Sequence, residues 1–259
     1  LFPANGVTFD GGALSVSVNG VATGDAWLNA GFWCEHAGVG IANDCAGGRL
    51  NGVRYDTPTF AGFSLSAGWA EDDYWDIAAR YSGEFSGIKI SLATAYSEST
   101  DPDILAVGAS LQNDNQYFQV GGMVKHLASG LWVHGTYGKN MIDNGPNHAA
   151  QPDIVGWYLK AGWSNKMSSL GATHFYGEYG KNEDAFAQSL LDNTGALVAT
   201  GITASDATRY GVGIVQEIDA AAMSLWVKYR HHELDFTKNG VALSADDVDM
   251  FLAGAVIFY

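Results

Sequence analysis

Runs of about ten residues, in which every second side chain is apolar, recur from residue 49 to the end of the chain. Successive side chains of a β-strand point to opposite faces, so this spacing predicts strands that each have one apolar face. Ten residues is also the length of a tilted strand that crosses a bilayer. We predict eleven such strands, at about 49–57, 62–70, 74–83, 87–97, 116–126, 130–140, 154–164, 171–181, 207–217, 221–231 and 248–259.

The apolar faces of these runs hold no charged residue, and tyrosine and tryptophan recur near their ends. Strands that face lipid carry an apolar band between two belts of aromatic residues. The last run, MFLAGAVIFY, has the same character, and its terminal-strand signal lies at Phe251, Ile257 and Tyr259. A soluble β-rich binding protein is the alternative, because its apolar strand faces would form the core.

Composition points to strands as the only way this chain could cross a membrane. Charged residues make up 16% of the 259 residues, against roughly 25% in an average globular chain, and no apolar stretch is long enough for a transmembrane helix. The formal net charge of -15 argues against nucleic acid as a partner, because phosphate contacts need Lys and Arg. We predict an all-β fold, a transmembrane antiparallel β-barrel that forms one domain.

The connections between the predicted strands alternate between short and long. The long ones lie at about 98–115, 141–153, 182–206 and 232–247, and a brief link at 71–74 is the exception. Outer-membrane barrels have short periplasmic turns and long outer loops, so the C-terminus is predicted to lie in the periplasm. Segment 103–112 is assigned to an outer loop, because a strand there would break the alternation.

Eleven strands cannot close an antiparallel barrel whose two ends lie on the same side of the membrane, since closure then needs an even number. Residues 12–19 and 26–33 are alternative strands, so the chain holds about 11 to 13. We expect the free edge of the last strand to be unpaired or joined to something from residues 1–48.

An ordered set of segments resembles the general Gram-negative porins, in the branch common in alphaproteobacteria. The segments are GVRYDTPTFAGFSLSAGWAEDDYWDIAARYSGEFSGIKISLATAY, GWYLKAGW, HFYGEYG, GVGIVQEIDAAAMSLWVKYRHHELD and the terminal FLAGAVIFY, and together they cover about residues 45–259. The resemblance implies a 16-stranded barrel that forms a homotrimer in the bacterial outer membrane. It also implies a water-filled channel through which ions and small hydrophilic solutes diffuse passively.

The same resemblance suggests how the chain is divided. RYDTPTFAGF resembles the strand and turn that follow the inward-folded third loop of the family, which implies that the N-terminal strands are lacking. Residues 1–48 would then be the constriction-loop region, and residues 49–259 the C-terminal part of a single barrel domain. The candidate constriction-loop carboxylates are Asp25, Glu35 and Asp44.

The faces opposite the apolar ones are small and polar, and we predict that they line the channel. They hold eight of the 13 basic side chains as a basic wall: Arg54, Arg80, Lys89, Lys125, Lys160, Arg209, Lys228 and Arg230. The acidic or polar lining residues are Asp56, Asp76, Glu178, Glu217, His134 and His174. Cations of the wall that face carboxylates of the loop would create a transverse field, which selects solutes by charge. In the alternative, the cations are paired with carboxylates of the wall itself.

Two cysteines, Cys34 and Cys45, lie in a glycine-rich stretch with ten residues between them. Such spacing fits a small disulfide loop in an oxidising compartment, and two unpaired thiols are the alternative. Acidic residues of the outer loops are candidates to hold Ca²⁺ or to bridge divalent cations to lipopolysaccharide, although solvated loop charge is favoured. They are Glu183, Asp184, Asp246, Asp247 and Asp249.

No catalytic motif occurs in the sequence. It lacks Gly-x-Ser-x-Gly, HExxH and a phosphate-binding glycine loop, and the adjacent His231 and His232 would point to opposite faces of a strand. We therefore predict a channel that is not an enzyme and has no cofactor or resident metal. An outer-membrane barrel enzyme, a protease or phospholipase, is the alternative of a different class.

Overall fold

The computed structural model describes residues 15–27, 51–71, 73–100, 113–144, 152–186, 189–191, 197–199 and 201–258. Nearly all of these residues lie in strands and the turns between them. The strands are β1 Ser15–Val18, β2 Val21–Ala26, β3 Gly52–Asp56, β4 Phe63–Ala70, β5 Tyr74–Phe85, β6 Ile88–Ser99, β7 Asn113–His126, β8 Leu131–Asn144, β9 Ile154–Ser168, β10 Gly171–Glu183, β11 Ser189–Leu191, β12 Leu197–Ala199, β13 Ile202–Ile218, β14 Met223–Lys238, β15 Val241–Ser244 and β16 Val248–Ile257.

One large antiparallel sheet contains all strands from β3 to β10 and from β13 to β16. Each strand pairs with the next in this order, except that β15 and β16 both pair with β14. They contact different parts of it, so they are two pieces of one edge strand, interrupted at 245–247. The eleven predicted strands are therefore all present, and the all-β prediction is confirmed.

The sheet is open within the described part of the chain, where β3 and the β15/β16 strand form its two edges. A separate hairpin, β1 and β2, touches the second edge at the interruption, where the amide of Asp246 donates a hydrogen bond to the carbonyl of Ser17 at 2.7 Å. The interrupted edge strand is thus joined at Asp246 to a segment from the first 48 residues, whereas β16 itself pairs with β14 alone among the described strands.

The two faces of the sheet have the opposite distribution of side chains from a soluble protein. On the face that we call outer, Trp69, Val227 and Phe251 are 68%, 49% and 82% exposed. On the inner face, Lys160 and Lys228 are 0% and 2% exposed. A sheet with exposed apolar and buried charged residues matches an outer-membrane barrel, whose outer band faces lipid. This distribution contradicts the soluble alternative.

Aromatic pairs cover the outer face at both ends of the strands, as the sequence predicted. We call the end with the links 57–62, 86–87, 127–130, 169–170 and 219–222 the turn end, and the opposite end the loop end. Phe63 packs on Tyr81 at the turn end, and Tyr229 packs on Phe251 at the loop end. These are the positions of two interfacial belts with an apolar band between them.

The predicted outer loop at 232–247 is wrong, because β14 continues to Lys238 and β15 follows after a two-residue turn. The apolar residues of β14 change face at its loop end: Leu225 and Val227 point outward, whereas Leu234 and Phe236 point inward and are buried. They pack with residues of the β1–β2 hairpin and with Phe186. The pattern of outward apolar residues therefore ends before strand β14 does.

The described residues contain no helix with the length and apolar character needed to cross a membrane.

Candidate functional site

The inner face carries every residue that the sequence assigned to it. Cross-strand register places the eight cations and the four carboxylates on this one face, together with His134 and His174. Glu84 also lies there, directly opposite Lys89, and was missed because the predicted run ended two residues before β5 does.

Glu178 is the centre of the buried charges. Its carboxylate accepts hydrogen bonds from Arg230 and, at 2.6 Å, from the hydroxyl of Tyr158, and Lys160 Nζ lies 3.7 Å from Oε2. The side chains of Glu178, Lys160 and Arg230 are almost fully buried. Removing charges from water is costly, and only such close pairing offsets the cost. This cluster is therefore a fixed part of the wall.

The other cations around this cluster lie over aromatic rings. Arg209 lies 5.1 Å from the centroid of the Tyr158 ring, and Lys228 lies 5.2 Å from that of Trp226. Lys160 itself lies 3.6 Å from the centroid of Tyr176. A cation over a ring face is attracted by the electron density of the ring. Aromatic side chains thus help to stabilise the positive charges of the wall.

Three aromatic side chains of the inner face lie across glycines of the neighbouring strand. A Cβ atom added at Gly162 would approach Trp132 to 2.5 Å, one at Gly213 would approach Tyr176 to 2.3 Å, and one at Gly254 would approach Trp226 to 2.5 Å. Only glycine leaves room for such close cross-strand packing. The alternation places each aromatic residue and its glycine on the inner face, but the sequence analysis did not predict their contact.

Within the described part of the chain, basic residues of the wall have partners of two kinds, carboxylates and a hydroxyl. Arg54 donates to Asp56 at 2.9 Å on the same strand, and Lys160 and Arg230 share Glu178. Arg80 instead donates to the hydroxyl of Ser66 at 2.6 Å. Among the described side chains, the alternative in which wall cations are paired with carboxylates of the wall therefore holds for the first three, whereas Arg80 is bonded to a hydroxyl.

His231 and His232 point to opposite faces, as the sequence predicted. On the outer face, His231 Nδ1 lies 2.8 Å from Asp249 Oδ1 and Nε2 lies 3.3 Å from Glu233 Oε1. On the inner face, the buried ring of His232 meets the edge of Trp27. The outer histidine belongs to an acidic patch at the loop end, and the inner one to the contact between the sheet and the hairpin.

The β1–β2 hairpin lies against the inner face at the loop end. Val16 and Trp27 are buried against Leu234 and Phe236 of β14. The backbone amides of Asn19 and Gly20 donate to the Asp246 carboxylate at 3.1 and 2.8 Å. Of the alternative strands at 12–19 and 26–33, the first contains β1 (Ser15–Val18), and residues 28–33 of the second lie outside the described residues. Strand β2 (Val21–Ala26) was not predicted.

Several predicted residues lie outside the described residues. They are Glu35, Asp44, Cys34, Cys45, Tyr259 and the segment 103–112. The backbone of Asp25 belongs to β2, and its side chain is also outside the description. Phe251 and Ile257 point outward from β16 and are exposed. The disulfide and the constriction-loop carboxylates therefore stay predictions.

The inner charges, the exposed apolar band and the two aromatic belts are features of one protein class, and the comparison with known families agrees. A sequence model described as Gram-negative porin matches residues 4–217. The chain belongs to the Gram-negative porin family. This membership assigns it to the outer membrane, and it confirms the resemblance on which the sequence prediction rested. The alphaproteobacterial branch and the loss of N-terminal strands stay predictions. No curated protein matches the chain.

Two solved structures are similar to this porin-family chain over most of its length. The outer-membrane expressed OmpT of Vibrio cholerae has 15% sequence identity and a TM-score of 0.45, with 79% of this chain and 63% of that one covered. The anion-selective porin from Comamonas acidovorans has 16% identity and a TM-score of 0.44, with 78% and 58% covered. The chain thus spans less than two thirds of the length of either structure.

Proposed function

We propose that this porin-family chain forms a water-filled channel for the passive diffusion of ions and small hydrophilic solutes across the outer membrane. The observation that carries the proposal is the inverted sheet, with apolar side chains exposed on the outer face and charged ones on the inner face. A wall of this kind separates lipid from a polar interior, which is the arrangement of a diffusion channel.

Residues 1–48 would provide the constriction of this channel. The β1–β2 hairpin supports this role, because Asp246 and the packing of Val16 and the adjoining Trp27 hold it on the inner face. The cations of the wall, among them Arg54, Arg80, Lys89 and Lys125, would face the carboxylates of Asp25, Glu35 or Asp44. The resulting transverse field would order water and select solutes by charge.

The protein would form a homotrimer with its C-terminus in the periplasm. The turn end of the sheet would then lie on the periplasmic side of the membrane. Its loop end would contact lipopolysaccharide, with Ca²⁺ or other divalent cations bridging the acidic loops. Chemical cross-linking in native outer membranes tests the trimer, and a band pattern that stops at the monomer contradicts it.

Enzymatic activity has weaker support. One inner-face group has the residue types of a hydrolase, since Ser164 Oγ lies 2.7 Å from His174 Nδ1. However, His174 Nε2 lies 3.7 Å from Glu217, which is too far for a hydrogen bond, and Glu217 accepts one from Ser224 instead. The group therefore does not have the geometry of a catalytic triad. Absence of lipid or peptide hydrolysis by the purified protein is the expected result.

Reconstitution into planar lipid bilayers tests the channel directly. The full chain, refolded in detergent and added to one side, should produce stepwise increases of conductance in potassium chloride. Liposome swelling in small sugars should accompany them. Folded protein that inserts into bilayers without conductance would contradict the proposal, and heat-unfolded protein serves as the control.

A further inference from the structure

A groove of about 720 Å³ runs along the inner face from β5 to β13. Its volume lies within the range of roughly 300–1,000 Å³ that is typical of sites for small molecules. Two arginines lie toward its ends, Arg80 on β5 and Arg209 on β13. The described lining between them, from β6 to β10, contains no Asp, Glu, Lys or Arg. The centre of the groove is therefore a polar surface without fixed charge.

Two side-chain amides lie on either side of this centre. Gln119 and Asn182 belong to one cross-strand row, in which Gly138 and Gly156 are the two residues between them. Neighbouring strands are about 4.8 Å apart, so the backbones of the two amides are roughly 14 Å apart. Glycine at both intermediate positions leaves the space above the backbone free. The row thus forms a gap with a glycine floor and an amide on each side.

Two polar groups lie above this floor. A Cβ atom added at Gly138 would approach the Tyr117 hydroxyl to 2.5 Å, and one added at Gly156 would approach Asn182 Oδ1 to 2.4 Å. Cβ positions of directly opposite residues are about 4.5–5.5 Å apart, and these two glycines are directly opposite each other. One small molecule in the groove can therefore contact the hydroxyl and the amide together.

The same two groups have no partner within the described part of the protein. The side chain of Asn182 is only 8% exposed, yet its amide forms no hydrogen bond with a described residue, and neither does the Tyr117 hydroxyl. Buried polar groups nearly always form hydrogen bonds. Because both groups line the groove, their partner is water or a solute that occupies it.

We propose that the centre of this groove binds a neutral polyhydroxylated solute, such as a monosaccharide, during its passage. A sugar hydroxyl both donates and accepts hydrogen bonds, and the amide of Asn182 and the hydroxyl of Tyr117 do the same. They therefore match neighbouring hydroxyls of one sugar ring, and no counter-charge is needed. The inference rests on the proposed channel and adds a saturable site to it. Binding is weak, because conduction requires release.

Block of the ion current by glucose tests the site in the working channel. Glucose should lower the wild-type conductance to a plateau, whereas polyethylene glycol of similar size, which has few hydroxyl groups, should lower it without saturation. Tyr117→Phe and Asn182→Leu together should raise the half-saturating glucose concentration roughly tenfold, because two hydrogen bonds are lost. The matched control is Asn140→Leu, at an asparagine that is 6% exposed and lies outside the described groove lining. A missing plateau, or equal half-saturation in wild type and double variant, overturns the proposal.

Binding in detergent tests the site without conduction. Saturation-transfer difference NMR should detect glucose on the full chain, refolded in a detergent without sugar groups. The signal should be unchanged in Asn140→Leu and several-fold weaker in Tyr117→Phe, which removes one oxygen and should retain the fold. Glucose binding without conductance would overturn the channel and leave the groove site standing. Conductance without glucose binding would overturn the groove site and leave the channel standing.

Discussion

The carboxylate of Asp246 accepts a hydrogen bond from the backbone amide of Gly20, although 226 positions separate the two residues in the sequence. The same carboxylate accepts a second bond from Asn19, and the Asp246 amide donates to Ser17. Asp246 lies where the edge strand is interrupted between β15 and β16. The interruption therefore turns the edge of the sheet into an anchor for the hairpin.

Replacing this anchor should release the hairpin without unfolding the sheet. Asp246→Ala removes the acceptor of two amides, and we expect a loss of about 1 kcal/mol in hairpin docking, since the bonds are exposed to water. Hydrogen exchange of the segment 15–27 should then be roughly fivefold faster. Asp247→Ala, next to it, is the control. Equal exchange in both variants would contradict the anchoring role.

The buried carboxylate of Glu178 should be the most sensitive charge of the wall. Glu178→Gln leaves Lys160 and Arg230 without their shared counter-charge, and removing one partner of a buried pair costs about 3–5 kcal/mol. Urea unfolding of the refolded protein measures this loss. Lys160→Met in the same chain should recover part of it, and no recovery would argue against the charge cluster as the cause.

An exposed pair provides the control for Glu178. Glu183 lies 3.3 Å from Lys181 on the outer face near the loop end, where water screens both charges. Glu183→Gln should change the free energy of unfolding by at most about 1 kcal/mol. A similar loss for Glu178→Gln and Glu183→Gln would mean that burial does not govern these interactions.

Replacing a glycine that lies under an aromatic side chain by alanine should destabilise the protein. Gly213→Ala places its Cβ atom within 2.3 Å of Tyr176, and we expect a loss of about 1–3 kcal/mol from overpacking. Gly177→Ala is the matched control, because its nearest neighbour is a carbonyl oxygen 3.8 Å away. Thermal unfolding in detergent should have a lower midpoint for Gly213→Ala than for Gly177→Ala. Equal midpoints would rule out the close packing.

A hydrogen-bonded glutamate at the loop end should make the β3–β4 edge sensitive to acid. Glu71 accepts bonds from the backbone amide and the side-chain amide of Asn51, which lower the pKa of its carboxyl below the ordinary value. The ionised form is thus favoured in the folded state. Its stabilising contribution is complete above the ordinary pKa and is lost as pH falls through the lowered one.

The comparison of wild type with Glu71→Gln isolates this effect. The difference in unfolding free energy between the two proteins should be largest at neutral pH and should shrink toward zero in strong acid. Asp73→Asn, in the same link, corrects for general acid effects. A difference that stays constant over the whole pH range would mean that the Glu71 carboxylate does not respond to its bonds with Asn51.

The strands and the inner face could be predicted because both depend on local alternation. A side chain such as Lys160 points inward whatever strand lies beside it, since its neighbours Leu159 and Ala161 point outward. The contacts of Glu178 could not be read in this way, because they depend on register across four strands. In that register Gly211 lies opposite Arg230, and Gly213 lies opposite Lys228. The sequence alone does not show these pairings.

The loop-end part of β14 was missed for a different reason. The lipid-facing pattern ends near Tyr229, and the following apolar residues Leu234 and Phe236 lie on the other face. They have an inward partner only because the β1–β2 hairpin, over 200 positions earlier, packs there. A prediction that assumes one apolar face for each strand does not include this long-range contact. The segment was therefore interpreted as a loop.

The most direct test of the account is a comparison of two adjacent positions, Gln119 on the inner face and Val120 on the outer face. Each is changed to cysteine in a Cys34→Ser, Cys45→Ser background, spin-labelled, and reconstituted in lipid vesicles. We predict that the label at 120 collides with oxygen dissolved in lipid, and the label at 119 with a water-soluble nickel chelate. The reverse pattern, or equal collision rates at both positions, would contradict a wall between lipid and water.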